Sequence, residues 1–246
     1  MLNRLREWLG QRPETLARDA GRYWSASEAS APIRDLSHWR GQGRWADEEA
    51  WLRIGRGHRA RFEALRRLAQ ATGPFRAMAE WGPGGGSNAL AHADLFERLH
   101  GIDISAANLE ECGRQLAAAG YGSFRPVLIE PNRPEAAREA VGEPLDFFLS
   151  TAVFQHFPAK EYGVRVLGEA FAMLRPGGLA LIQTRYDDGT ERYRPRRANY
   201  GEHAITFTSY AIQEFWRLAR EAGFRPLAVD LAPETNYAYY GLERPV

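Results

Sequence analysis

The 246-residue chain has a single cysteine, Cys112, so it can close no disulfide within itself and offers no thiolate cluster for a metal. No apolar run approaches the roughly 20 residues that span a bilayer. The opening MLNRLREWLG lacks the apolar stretch of a secretory leader and reads as an amphipathic helix docked on the body. Lysine is almost missing: Lys160 is the only one, and arginine carries the remaining positive charge. With a formal net charge of +1, no excess of positive charge is left for nucleic acid or an anionic membrane. These shortages fit a cytoplasmic protein. What the chain does have is 44% hydrophobic residues, enough for one large core.

The richest segment runs Ala79-Glu80-Trp81-Gly82-Pro83-Gly84-Gly85-Gly86-Ser87-Asn88, with Gly101-Ile102-Asp103-Ile104-Ser105 downstream. Glycines at 82, 84 and 86 allow a sharp turn after a strand and close approach of backbone N–H groups to a ligand. A carboxylate such as Asp103 at the end of the next strand can accept hydrogen bonds from both hydroxyls of a ribose. Gly84 to Ala89 also satisfies G-x-G-x-x-A, which leaves a dinucleotide such as NAD as one alternative. Glu80 argues against it, because an acid before the turn repels a pyrophosphate and suits an ammonium or sulfonium.

This turn resembles the first motif, acid-x-Gly-x-Gly-x-Gly, of the class I S-adenosylmethionine-dependent methyltransferases. The resemblance continues in order through Leu145–Thr151 (LDFFLST), Val153–Pro158 (VFQHFP), Leu174–Ile182 (LRPGGLALI), Phe207-Thr208-Ser209 and Ala222-Gly223-Phe224. An NAD dehydrogenase would account only for the first of these segments. The resemblance implies S-adenosylmethionine as cofactor, with Gly82, Gly84 and Gly86 at its methionine part, Asp103 at the ribose and Ile104 on the adenine face. Glu130 or the loop that follows it is the candidate for the adenine edge, a merely solvated glutamate being the alternative. Glu80 and Thr151 fall at strand ends facing the crevice, and Asn88 and Tyr23 complete the cofactor candidates.

Alternating strands and helices predict an α/β fold, a doubly wound and mostly parallel sheet. Strands are expected at 75–81, 96–103, 124–130, 146–151, 179–184, 226–231 and 236–243, with helices at 106–119 and 161–174. The family resemblance implies seven strands in order 3-2-1-4-5-7-6, strand seven antiparallel. Ahead of this methyltransferase domain (73–246), residues 1–72 read as a helical cap. Five of the seven tryptophans lie there: Trp8, Trp24, Trp39, Trp45 and Trp51. Each is expected to fill core, with Tyr23 and Trp24 the candidates for ligand contact. Helical spacing of Trp51, Ile54, His58, Phe62, Leu65 and Leu68 predicts a helix over 47–70 beside the crevice.

Methyl transfer to oxygen needs a group to take the hydroxyl proton. His156, in the loop after strand four, is the candidate base, since an imidazole of ordinary pKa, about 6.5, is a proton acceptor near neutrality. The alternative is a histidine that only packs within its loop, and His203 stands in reserve. The insertion 185–206 follows strand five and offers Arg185, Tyr186, Tyr193 and Tyr200, with His203, to a polar acceptor such as a saccharide or secondary metabolite. A charge-rich surface lid is the other reading of it. Asp187 and Asp188 raise a divalent metal, although no third ligand follows by spacing. The expectation is therefore an S-adenosylmethionine-dependent O-methyltransferase. A small-molecule N-methyltransferase, an NAD-dependent oxidoreductase and a cofactor-binding protein without turnover are the alternatives.

Overall fold

A computed structural model describes residues 9–246. Trp8 and most of the expected N-terminal amphipathic helix lie outside the described residues. The N-terminal segment folds as α1 (Pro13–Trp24), α2 (Ala31–Leu36) and the long α3 (Glu48–Leu68). The side chain of Asp47 caps α3 by accepting from the Glu49 N–H at 2.9 Å, and two acids follow in the first turn, where the helix dipole favours them. The predicted stripe is buried at Trp51, His58, Phe62 and Leu65; Leu68, at the end of the helix, is exposed instead.

The sheet comprises β1 (Ala77–Trp81), β2 (Arg98–Asp103), β3 (Phe124–Leu128), β4 (Leu145–Ser150), β5 (Leu174–Arg185), β6 (Arg225–Ala232) and β7 (Tyr237–Glu243). Its order is 3-2-1-4-5-7-6, as the family resemblance implied, and β7 runs antiparallel to both neighbours. Strand β4 shows why the sheet is covered on both sides. Phe148 packs with Trp81, Ile102, Ile182 and Tyr240 on one face, whereas Phe147 and Leu149 pack with Phe62, Phe96 and Leu116 on the other. Cys112 is fully buried in the second layer, where desolvation raises its thiol pKa well above the ordinary value.

Most strand ends differ from the sequence expectation, and two of the differences fall on residues singled out above. Strand β3 stops at Leu128, so Glu130 lies in the loop beyond it. Strand β5 begins at Leu174, and a register shift opposite Leu145/Phe147 absorbs the Pro176-Gly177-Gly178 segment as a bulge.

Helix α3 docks on α4 (Ser87–His92), the helix that opens directly after the glycine turn. The Ser87 hydroxyl donates to Trp51 O at 2.7 Å and accepts from Gly55 N at 3.1 Å, and so bridges one turn of α3. A Cβ on Gly55 would lie 2.2 Å from Ser87 O, so backbone meets backbone here. Gly55→Ala is expected to destabilise the protein by about 1–3 kcal/mol, the cost of overpacking, despite alanine's better helix propensity. A urea denaturation curve checks this; an unchanged or raised midpoint would refute the packing account.

Candidate active site

The crevice lies at the carboxyl ends of β1 and β4, where the strand order reverses and ligands of open α/β sheets collect. It is a cleft with a cavity volume of about 120 Å³. Of the sequence candidates, Glu80, Gly82, Gly84, Asn88, Asp103, Ile104, Thr151 and His156 line it. The N-terminal helices and the turns between them contribute Trp24, Leu36, Ser37, His38 and Ile54.

The glycine turn is clasped from outside. Gly85 N donates to Ser37 O at 2.7 Å, and a Cβ on Gly84 or Gly85 would fall 2.4 Å from Ser37 O or 2.2 Å from His38 O. Gly84 also has φ +52, a left-handed conformation that a side chain disfavours. Glycine there thus serves the packing of the N-terminal segment as well as the mouth of the cleft.

Two carboxylates sit in the floor. Glu80 is 2% exposed; its Oε1 accepts from Asn88 Nδ2 at 2.7 Å, whereas Oε2 is buried without a hydrogen-bond partner among the described residues. Burial pushes its pKa up to about 8, with Asp103 adding to the rise and the Asn88 and Ala89 N–H groups opposing it. Asp103 accepts from Ser105 N at 2.9 Å and from Asn108 Nδ2 at 3.5 Å, and burial raises its pKa to about 6. A buried acceptor oxygen left unpaired carries a desolvation penalty that an incoming cationic N–H would relieve. The pair therefore fits a ligand bearing an ammonium and a diol, the donor set of S-adenosylmethionine.

Asn88 does not present its side chain free to a ligand. Nδ2 is shared between Glu80 and Thr151 Oγ1 (2.9 Å), and Oδ1 faces His58 Nδ1 of α3 at 2.7 Å. Since an amide oxygen only accepts, His58 carries its proton on Nδ1. Asn88 thus orients Glu80 and ties it to α3.

His156 stands at the rim in the loop after β4. Its Nδ1 lies 2.6 Å from Ala204 O; a carbonyl only accepts, so Nδ1 is protonated and Nε2 keeps its lone pair. The Gln155 side-chain amide donates toward Nε2 at 3.3 Å. Burial lowers the His156 pKa to about 4, so the ring is neutral throughout the physiological range, well below the ordinary value assumed from sequence. Its backbone carbonyl accepts from Tyr200 Oη at 2.5 Å, Tyr200 Oη accepts from Trp24 Nε1 at 2.8 Å, and the Trp24 ring lies 4.5 Å from the imidazole.

The insertion after β5 takes a different position from that of an exposed acceptor lid. Tyr193 and Tyr200 are buried, Tyr186 pairs with Tyr210, and His203 is half-buried in the short helix Tyr200–His203. Arg185 donates to Thr235 O and Tyr237 Oη, its guanidinium facing the rings of Tyr193 and Tyr237. None of these five lines the cleft. Through Ala204 and Thr208, which donates to Phe157 O at 2.7 Å, the segment buttresses the His156 loop. Asp187 and Asp188 accept from the N–H groups of Gly189 and Thr190 within their own turn, and the described residues contain no group of three or more His, Cys, Asp or Glu that could hold a metal. Tyr23 lies behind Trp24 and does not line the cleft, Gly86 opens α4 against Cys112, and of Glu130 and the loop after it the exposed Glu130 does not line the cleft whereas Pro131 of the loop does. His38 has no counterpart in the sequence reading: it sits between Pro32 and Gly41, in a stretch without periodicity or motif. Among the described residues no helix is long and apolar enough to cross a membrane.

Residues 79–182 match the family described as a methyltransferase domain. Among solved structures, the chain resembles an S-adenosylmethionine-dependent methyltransferase from Clostridium acetobutylicum (10% identity, TM-score 0.60, 75% of this chain and 89% of that one). It also resembles the N-methyltransferase NodS from Bradyrhizobium japonicum WM9 in complex with S-adenosyl-L-homocysteine (14%, 0.57, 76% and 87%). A third likeness is to the mitomycin 7-O-methyltransferase MmcR (16%, 0.60, 90% and 60%). At these identities the likeness is one of fold. No curated protein matches the sequence. Glu80, Asp103, Thr151 and His156 all fall inside the matched segment, so the cleft's central residues lie in the part of the chain that is similar to a methyltransferase domain.

Proposed function

We propose that the protein transfers a methyl group from S-adenosylmethionine to a hydroxyl of a small molecule. The observation that carries this reading is the neutral His156, its tautomer set by Ala204 O, in the wall of the cleft that holds Glu80 and Asp103. Glu80 Oε2 would take the cofactor's ammonium, Asp103 the ribose hydroxyls and Ile104 the adenine face. When bound, the cofactor supplies an electrophilic methyl carbon whose bond to sulfur breaks with the electron pair remaining on sulfur. His156 Nε2 takes the hydroxyl proton as the new carbon–oxygen bond forms, and the walls hold the acceptor in line. In this reading residues 1–72 form the cap over a methyltransferase domain (73–246), and the 185–206 insertion supports the catalytic loop.

Calorimetry tests the cofactor assignment. S-adenosylmethionine and S-adenosylhomocysteine are expected to bind, and NAD not to bind. Asp103→Ala is expected to weaken binding by about 1.5–3 kcal/mol, the range for hydrogen bonds to a charged group. Tight NAD binding without response to either adenosyl ligand would overturn the assignment, and an unchanged affinity in folded Asp103→Ala would remove the ribose contact.

A further inference from the structure

The cleft's wall is sorted by chemistry. Its carboxylates, Glu80 and Asp103, belong to the proposed cofactor end, and among the described residues no arginine or lysine lines it. The N-terminal segment and the His156 loop supply Trp24, Leu36, His38, Ile54, Val153 and His156, none of them charged, since burial holds both imidazoles neutral. The nearby cations are engaged elsewhere: Arg44 with Asp35, Arg185 with Thr235 O and Tyr237. A phosphate or carboxylate brought in here would be desolvated without a counter-charge. A polyol would leave most of its hydroxyls against apolar side chains.

His38 is held rather than merely present. Its backbone lies at φ +58, in the left-handed region, with its carbonyl accepting from Trp51 Nε1 at 2.6 Å and resting on Gly85. Its ring touches Trp45, yet its ring nitrogens make no hydrogen bond to the described residues. Backbone strain of this kind persists where the surroundings over-determine it, as at ligand sites. The adjacent Ser37 Oγ is also buried without a hydrogen-bond partner among the described residues.

Resting on the methyl-transfer reading, we infer that the acceptor is an uncharged aromatic hydroxyl compound, its ring packed against Trp24, Leu36 and Ile54 and its hydroxyl held by His38 and His156. Proton acidity supports this class. A weakly basic imidazole removes a phenolic proton, of pKa about 10, far more readily than one nearer the water value of about 16.

The test uses the intact chain saturated with S-adenosylhomocysteine and titrated with naphthol, with a hydroxynaphthoate and with methyl glucoside, followed by tryptophan fluorescence and calorimetry. Naphthol is expected to bind at least about tenfold more tightly than either of the others. His38→Ala and Trp24→Leu are each expected to raise the naphthol Kd about tenfold while the S-adenosylhomocysteine Kd is retained. Preference for the naphthoate or the glucoside by a protein that binds S-adenosylhomocysteine would overturn the inference and leave methyl transfer standing. Failure of wild-type protein to bind S-adenosylhomocysteine would instead overturn the cofactor reading. If a variant loses its fold, the wild-type preference among the three probes still decides, and Trp24→Phe, which keeps an aromatic face, is expected to retain naphthol binding.

Discussion

His156→Ala is expected to lower kcat by about 10² to 10⁴, the usual worth of a positioned general base, with cofactor affinity unchanged. His156 lines the cleft with Nδ1 committed to Ala204 O and the Gln155 amide at Nε2, so truncation removes the proposed proton acceptor without touching Glu80 or Asp103. The pH profile adds a second reading. Burial holds the His156 pKa at about 4, so Nε2 is free above that value and its contribution to the rate is flat through the neutral range. An imidazole of ordinary pKa would make the rate climb between pH 5.5 and 7.5, roughly one unit either side of about 6.5. Turnover by folded His156→Ala at the wild-type rate would dismiss the base and point to an amine acceptor that needs none.

The second large effect concerns Glu80. In the free protein burial keeps its proton on up to about pH 8. An ammonium beside Oε2 favours the carboxylate, so the pKa falls on binding and the proton must leave. At pH 7, S-adenosylmethionine binding is therefore expected to release close to one proton, and affinity should rise with pH until about 8 and then level off. Calorimetry at pH 7 in buffers of differing ionisation enthalpy counts that proton. Glu80→Gln is expected to abolish the release and weaken binding about 10- to 100-fold. Wild-type affinity in Glu80→Gln, together with no buffer dependence in the parent, would show that the acid does not face the cofactor's cation.

The parts of the fold that were legible in the sequence are those in which local pattern and tertiary role coincide. Leu145–Ser150 reads as a buried strand because both its faces are covered, and the glycine turn is legible because its backbone demands glycine. Misplaced residues were those whose environment is set by distant chain. Tyr193 and Tyr200 stand in an arginine-rich stretch that looks solvated, yet contacts with Ser209 and with Trp24 and His156 bury them. Asn88 lines the cleft, but that its amide is shared among Glu80, Thr151 and His58, the last of these 30 residues upstream, is not legible in the local sequence. His38 was invisible for the same reason: Trp51 and Gly85 give it its conformation, and nothing adjacent in sequence announces either contact.

The clasp of Ser37 and His38 on Gly84 and Gly85 changes how substitution scans of this turn should be interpreted. In a glycine-rich motif of this kind, lost activity is ordinarily credited to a damaged cradle for the nucleoside. Here an added methyl group meets main-chain oxygens of the N-terminal segment at 2.2–2.4 Å. The first casualty would be the seating of Trp24, His38 and Ile54. Alanine at Gly84 or Gly85 would therefore report on the attachment of the roof, and a loss of acceptor selectivity would precede any loss of nucleoside affinity.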